Sequence, residues 1–235
     1  MNATSPNIHI SRVFPYAILD QPPDFVEFGP PDASADVKKH ADVAAATTTA
    51  SAYVCSEDGF VQKGSYGQVV RATACNEHEK QTTTTDVAIK TLECKTKDDV
   101  TAFWKEAKMA QNVQPKERTP SMPSVIRFYD AFQNQDNARL YHLVFEFVES
   151  EPPHLLYPRL SLSKVRTYMR ALLQTLLHCH TRGIIHGDVK PENVLIDDAR
   201  ELLRLIDFGH SMFYWPEQKY PMFGTPKYRA PEVVF

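Results

Sequence analysis

The stretch Ile184-Ile-His-Gly-Asp-Val-Lys-Pro-Glu-Asn-Val-Leu-Ile-Asp197, IIHGDVKPENVLID, sets three polar heads, Asp188, Lys190 and Asn193, between two apolar pairs. Pro191 removes a backbone donor and drives Lys190, the residue before it, toward extended geometry, so the segment cannot be helical throughout. The pattern is that of a short loop between buried ends, with its polar groups aimed at a ligand.

Working outward, SLSKVRTYMRALLQTLLHCHTRG upstream reads as a long helix, capped by Ser161 or Ser163 and ended near Gly183. Downstream, LLRLIDFG is a second apolar strand that closes on Asp207. From Tyr53 to Glu149 the chain is strand-rich, with GFVQ, GQVVRAT, DVAIKTLE, SVIRFYDAF and RLYHLVFEFVE. One helix interrupts it: DDVTAFWKEAKMAQNV carries Val100, Phe103, Trp104, Ala107 and Ala110 at helical spacing and opens on acidic residues. The first 51 residues, with QPPDFVEFGPPDASAD and HADVAAATTTASA, lack sustained apolar periodicity and read as a mostly disordered extension. The division expected is an extension over 1–51, a β-rich part over 52–148 and a helix-rich part over 149–235.

Composition narrows the function classes. With 43% hydrophobic and 11% aromatic residues in 235, the chain can pack a core. A net charge of -3 offers no basic field for nucleic acid or an anionic membrane. No apolar run reaches the ~18 residues of a membrane span, and MNATSPNIHI lacks the order of a signal peptide. Cys55, Cys75, Cys94 and Cys179 are scattered without metal-type spacing, which fits a reducing, intracellular setting, cytoplasmic or nuclear.

Several other stretches carry chemistry. KGSYGQVV places Gly64 and Gly67 between strand-like flanks, where bare α-carbons let backbone N–H groups approach phosphate; an ordinary β-turn has the same look. VAIK ends on Lys90, which needs an anionic partner if it faces inward, and Glu106 is the natural one; otherwise both are solvated surface residues. Asn193 and Asp207 offer the hard oxygen ligands that Mg²⁺ accepts beside phosphate. Asp188 is left to orient a hydroxyl and take its proton, while Lys190 neutralises charge on a transferred group. Any one of these carboxylates also suits a turn cap, but four such residues in this order and spacing do not.

With these pieces together, the chain resembles the eukaryotic protein kinase family from about Tyr53 to Phe235, on KGSYGQVV, VAIK, HGDVKPEN, DFG and GTPKYRAPE. The resemblance implies an α+β two-lobe fold, with a β-rich N-lobe and the first part of an α-rich C-lobe. It implies transfer of the ATP γ-phosphate to protein hydroxyls, with ATP and Mg²⁺ as cofactors, a protein substrate, and a regulatory or chaperone partner. By similarity, Gly64, Gly67 and Val69 cover ATP, Lys90 binds its α- and β-phosphates, and Glu106 holds Lys90. Ala88 and Leu195 sandwich adenine, Glu146 to Val148 form the hinge that meets it, and Phe145 is the gatekeeper. Asp188 is the catalytic base, Lys190 its charge-stabilising neighbour, and Asn193 and Asp207 are the metal ligands. Lys190 with Thr225 resembles the serine/threonine branch. RTYMRALLQTLLHCHTRGIIHGDVKPENVLID and LLRLIDFGHSMFYWPEQKY are similar to casein kinase II and its wider group.

Three departures from the family pattern change what is expected. Gln62 stands where the glycine loop has its first glycine, which weakens nucleotide binding. Gly187 replaces the arginine before the catalytic aspartate and removes the cation that pairs with a phosphorylated activation loop, so no phosphate on Ser211, Tyr214, Tyr220 or Tyr228 is expected to be needed. The sequence stops soon after Ala230-Pro-Glu232, short of the later C-lobe helices. On that reading the chain is a fragment, a truncated product or a degenerate relative, with the apolar face of the long helix near Tyr168 to Leu177 uncovered. The 235-residue product is then expected to be poorly soluble or chaperone-bound and to transfer no phosphate. The alternative function is a pseudokinase acting as a nucleotide-binding or interaction module.

Overall fold

The computed structural model describes residues 52–64, 67–78, 81–115, 124–134, 137–216, 220 and 223–234. The extension expected over 1–51 lies outside them. The fold is mixed α+β, and its contacts divide it into two units. One holds residues 52–107 and Arg127–Phe147; the other holds Lys108–Ile126 and Val148 onward.

The first unit is built on a five-stranded antiparallel sheet of β1 (Ala52–Gly64), β2 (Gly67–His78), β3 (Gln81–Glu93), β4 (Phe128–Gln133) and β5 (Leu140–Glu146), in the order β1-β2-β3-β5-β4. Side chains alternate across a strand, and the two faces sort accordingly. Ala72, Ala74, Val87, Ile89 and Val144 form a buried cluster on one face. Tyr141 and Leu143 join Phe103, Ala107 and Cys94 on the other, with Leu92, Trp104 and Phe145 packed against them. Phe103 is wedged between Trp104 and Tyr141, at ring separations of 5.0 and 4.9 Å.

Phe103, Trp104 and Ala107 come from the Lys97–Asn112 helix, whose apolar spacing presents one stripe to the sheet. Its start is fixed by reciprocal capping. Thr96 Oγ1 accepts the Asp99 N–H at 3.1 Å, and Asp99 Oδ2 accepts the Thr96 and Lys95 N–H groups at 2.8 and 2.9 Å. Those bonds, with Thr96 first, hold the Asp99 carboxyl below its usual range.

In the second unit the Leu162–Thr181 helix is capped by Ser161, whose hydroxyl accepts the Lys164 N–H at 3.3 Å. It ends as Arg182 N–H returns to Cys179 O at 3.0 Å and Gly183 N–H to His180 O at 2.9 Å. Against it pack two small ladders and one isolated bridge. β6 (Ile184–Ile185) pairs with β9 (Met212–Phe213), β7 (Val194–Asp197) pairs with β8 (Leu202–Leu205), and Val125 bridges Leu205. Thr175, Cys179, Ile184, Leu205 and Phe208 are buried. Along the face expected to be uncovered, Tyr168 is instead buried, its hydroxyl donating to Asp198 Oδ1 at 2.7 Å. Met169, Leu173 and Leu177 are exposed. Among the described residues no helix is long and apolar enough to cross a membrane.

Candidate active site

In the sheet unit, β1 and β2 close at the Gly64–Gly67 pair, and Ser65 and Tyr66 of the loop tip lie outside the described residues. Gln62 stands opposite Val69, and Val69 opposite Lys90. Lys90 pairs in turn with Leu143 on β5, so it projects from the face that the helix covers. There its Nζ donates to Glu106 Oε1 at 2.7 Å, with the two side chains only 16% and 7% exposed. The solvated-surface alternative for this pair does not hold. A charge withdrawn from water this far is costly without its partner, so the ion pair ties the helix to β3.

Ala88 lies opposite Phe145, whose ring meets Phe128 edge-on at 5.7 Å. Glu146 is engaged within its own unit: its N–H donates to Arg127 O at 2.9 Å, and its Oε1 accepts the Arg127 N–H at 2.8 Å.

In the other unit Val148 is buried and Leu195 is half-buried on β7, opposite Arg204. The loop quoted at the outset leaves β6, runs extended through Lys190 (φ -155, ψ 163) as Pro191 demands, and turns through the 3-10 helix Pro191–Asn193. Asp188 is its buried centre. Oδ1 accepts both the N–H and the hydroxyl of Thr225, each at 2.7 Å, and Oδ2 accepts Lys190 Nζ at 2.6 Å and Asn193 Nδ2 at 3.2 Å. Lys190 Nζ also donates to Thr225 Oγ1 at 3.0 Å. Burial alone would raise the Asp188 carboxyl. The Lys190 and Thr225 hydrogen bonds outweigh it and bring the group down to about 2. The same balance acts on Lys190, where burial opposes the ammonium and the Asp188 bond raises it.

Asn193 Nδ2 is committed twice, to Asp188 O at 2.8 Å and to Asp188 Oδ2, which leaves Oδ1 as the atom the amide can offer a cation. The β7–β8 ladder brings its neighbours together: Ile206 N–H donates to Asn193 O at 2.9 Å, and Asp207 follows directly. Asp207 takes φ 64, a left-handed backbone that Asp tolerates better than most residues. One amide oxygen and one carboxylate make a hard donor pair, which fits Mg²⁺ held mainly by phosphate and water. Among the described residues no cluster of three His, Cys, Asp or Glu suited to a softer metal occurs.

Two residues that sequence reasoning left out shape the loop. His186 is buried, stacks edge-on against Phe208 at 5.0 Å, and bonds Ile206 O through Nε2 at 3.0 Å. Its Nδ1 accepts the Asp188 N–H at 3.3 Å, so the neutral ring joins the two loops; burial pushes its pKa down, which keeps it neutral. Thr225, read only as a marker of branch, is the second. The signal for both lay in the spacing, one histidine two residues before Asp188 and one hydroxyl after Gly224. Downstream, Ser211 is fully buried and donates to His186 O at 3.0 Å. Tyr214 and Tyr220 stack at 6.4 Å, both buried, and the Tyr220 hydroxyl accepts the Trp215 N–H at 2.5 Å and donates to Phe213 O at 3.1 Å.

Residues 57–235 match the family model for the protein kinase domain. Among curated proteins, the chain is 33% identical over 118 residues to the probable casein kinase II subunit alpha homolog of Encephalitozoon cuniculi, covering 50% of this chain and 37% of that protein. It is 38% identical over 113 residues to casein kinase II subunit alpha' of Saccharomyces cerevisiae, covering 48% and 33%. The matched region thus spans about a third of the length of these relatives.

Proposed function

Since the chain belongs to the protein kinase family, we propose that it carries the phosphoryl-transfer centre of an ATP-dependent serine/threonine protein kinase related to casein kinase II. The observation that carries this reading is the bonded set Asp188–Lys190–Asn193–Thr225. A turn cap needs one such carboxylate, whereas here four donors converge on a single one.

Asp188 is the group that receives the substrate hydroxyl. With all four of its acceptor positions taken, the hydroxyl enters by displacing a donor, and Lys190 is the mobile one, on a flexible stem. As Lys190 turns to the transferred phosphoryl group, it gives up Asp188 Oδ2 to the hydroxyl and neutralises charge where it develops. A carboxyl near 2 is a weak base, so its part is first to orient the hydroxyl; the proton follows late, as a loose transition state allows. Asn193 Oδ1 and Asp207 would hold Mg²⁺, which when bound neutralises phosphate oxygens. Lys90, steadied by Glu106, is the cation for the nucleotide's inner phosphates. Within the sheet unit, Gly64, Gly67 and Val69 are the proposed cover over the phosphates, and Ala88 is the proposed contact to adenine.

The test is transfer from labelled ATP by the full-length polypeptide, followed by phosphoamino-acid analysis. Phosphoserine and phosphothreonine are the expected products. Predominant phosphotyrosine overturns the branch, and nucleotide binding without transfer favours the pseudokinase reading.

The burial of Ser211, Tyr214 and Tyr220 leads to a further expectation. Each has a place that a phosphate would destroy, and Gly187 provides no cation to receive one. Phosphatase treatment should leave the transfer rate within about twofold, whereas a roughly tenfold fall would mean that an activating phosphate is present after all.

A further inference from the structure

Gly187 and Gly224 each take a left-handed backbone, φ 84 and φ 79, and each is pressed against another stretch of main chain. A Cβ on Gly187 would lie 2.6 Å from His210 O, and one on Gly224 would lie 2.7 Å from Gly187 O. Three segments therefore stack backbone on backbone: His210 against the α-carbon of Gly187, and the Gly187 carbonyl against the α-carbon of Gly224. On the outer side, Arg229 Nε donates to Phe223 O at 3.1 Å and Gly224 O at 2.9 Å, which holds the last layer in place.

The residue after each inner glycine explains the need for such closeness. Asp188 follows Gly187, Thr225 follows Gly224, and both Thr225 donors reach Asp188 Oδ1 at 2.7 Å. Short backbone and hydroxyl donors span that gap because the Gly187 carbonyl lies directly against the Gly224 α-carbon. An arginine at 187 would bring its Cβ to 2.6 Å from His210 O on a left-handed backbone, so the main chain here would have to shift to accept one.

We propose that Gly187 and Gly224, clamped by Arg229, form a backbone latch that seats Thr225 on Asp188, making all three positioning residues for phosphoryl transfer. The proposal rests on the kinase reading above.

The experiment compares full-length wild type with Gly224→Ala and Arg229→Gln. Rates are normalised to the fraction that binds ATP, and amide hydrogen exchange is followed across residues 223–229. Displacement of a catalytic group by about 1 Å costs roughly 10²-fold in rate. Gly224→Ala should therefore lose about that much in kcat, keep its KM for ATP within about twofold, and exchange the Thr225 amide faster. Wild-type kcat with unchanged exchange overturns the latch. Should Gly224→Ala not fold, Arg229→Gln decides by the same readouts: a lower kcat at unchanged ATP KM supports the proposal, and wild-type behaviour overturns it. If the wild type transfers nothing, the kinase reading falls. Exchange at Thr225 still judges the latch by itself, faster in the variants if it exists and unchanged if it does not.

Discussion

Asp188→Asn in the full-length polypeptide is expected to lower the rate of phosphate transfer by roughly 10³-fold, within the range that loss of a positioned acid–base group produces. The substitution keeps the shape and removes the charge. It also creates a conflict, because both carboxylate oxygens now accept from donors, Thr225 at one and Lys190 with Asn193 at the other. Whichever way the new amide turns, an NH₂ faces another donor. ATP affinity should change little, since the nucleotide contacts proposed for Lys90 and the sheet do not involve Asp188. Initial rates and equilibrium ATP binding measured on one preparation check this. A variant retaining more than about a tenth of the rate would remove Asp188 from the chemistry.

The second large effect is expected at Lys90. Lys90→Met removes the cation proposed for the phosphates and should cut transfer by at least 10²-fold, the scale of losing one preorganised electrostatic contact. It also takes the 2.7 Å ammonium partner from Glu106, which is 5% exposed, so the unit should lose about 3 kcal/mol of stability. The chemical and structural roles separate in the double variant Lys90→Met/Glu106→Leu. Removing both charges should return most of the stability in a denaturant titration and none of the transfer. Transfer that returned along with stability would mean that Lys90 is only a strut.

Much of this arrangement was legible in the sequence because short-range chemistry dictated it. Pro191 forces Lys190 to be extended, the Val100, Phe103, Trp104 and Ala107 stripe gives the helix its buried side, and Ser161 caps the longer helix. What stayed hidden depends on partners far along the chain. Thr225 reaches Asp188 across 37 residues, and no periodicity announces that meeting. Gly187 illustrates the difference most sharply. In the sequence it marks a lost arginine; only the three-dimensional contact with the His210 carbonyl reveals why a side chain is crowded there. Tyr168 was misjudged for a similar reason, since its partner Asp198 lies beyond the loop on a separate turn.

The ladder between β2 and β3 runs from Gln68–Thr91 to His78–Gln81 without a break, whereas β1 slips twice against β2. Lys90 reaches Glu106 only because strand residues alternate between faces along that unbroken ladder. Adding or deleting a single residue inside it would swing Thr91 or Ile89 into the place of the lysine and turn Lys90 toward the opposite face, onto the Ala72, Val87 and Val144 cluster. A change of two residues would restore the alternation. The sheet therefore has a parity, and length variation in relatives of this chain should be found at strand ends or in even steps within the ladder.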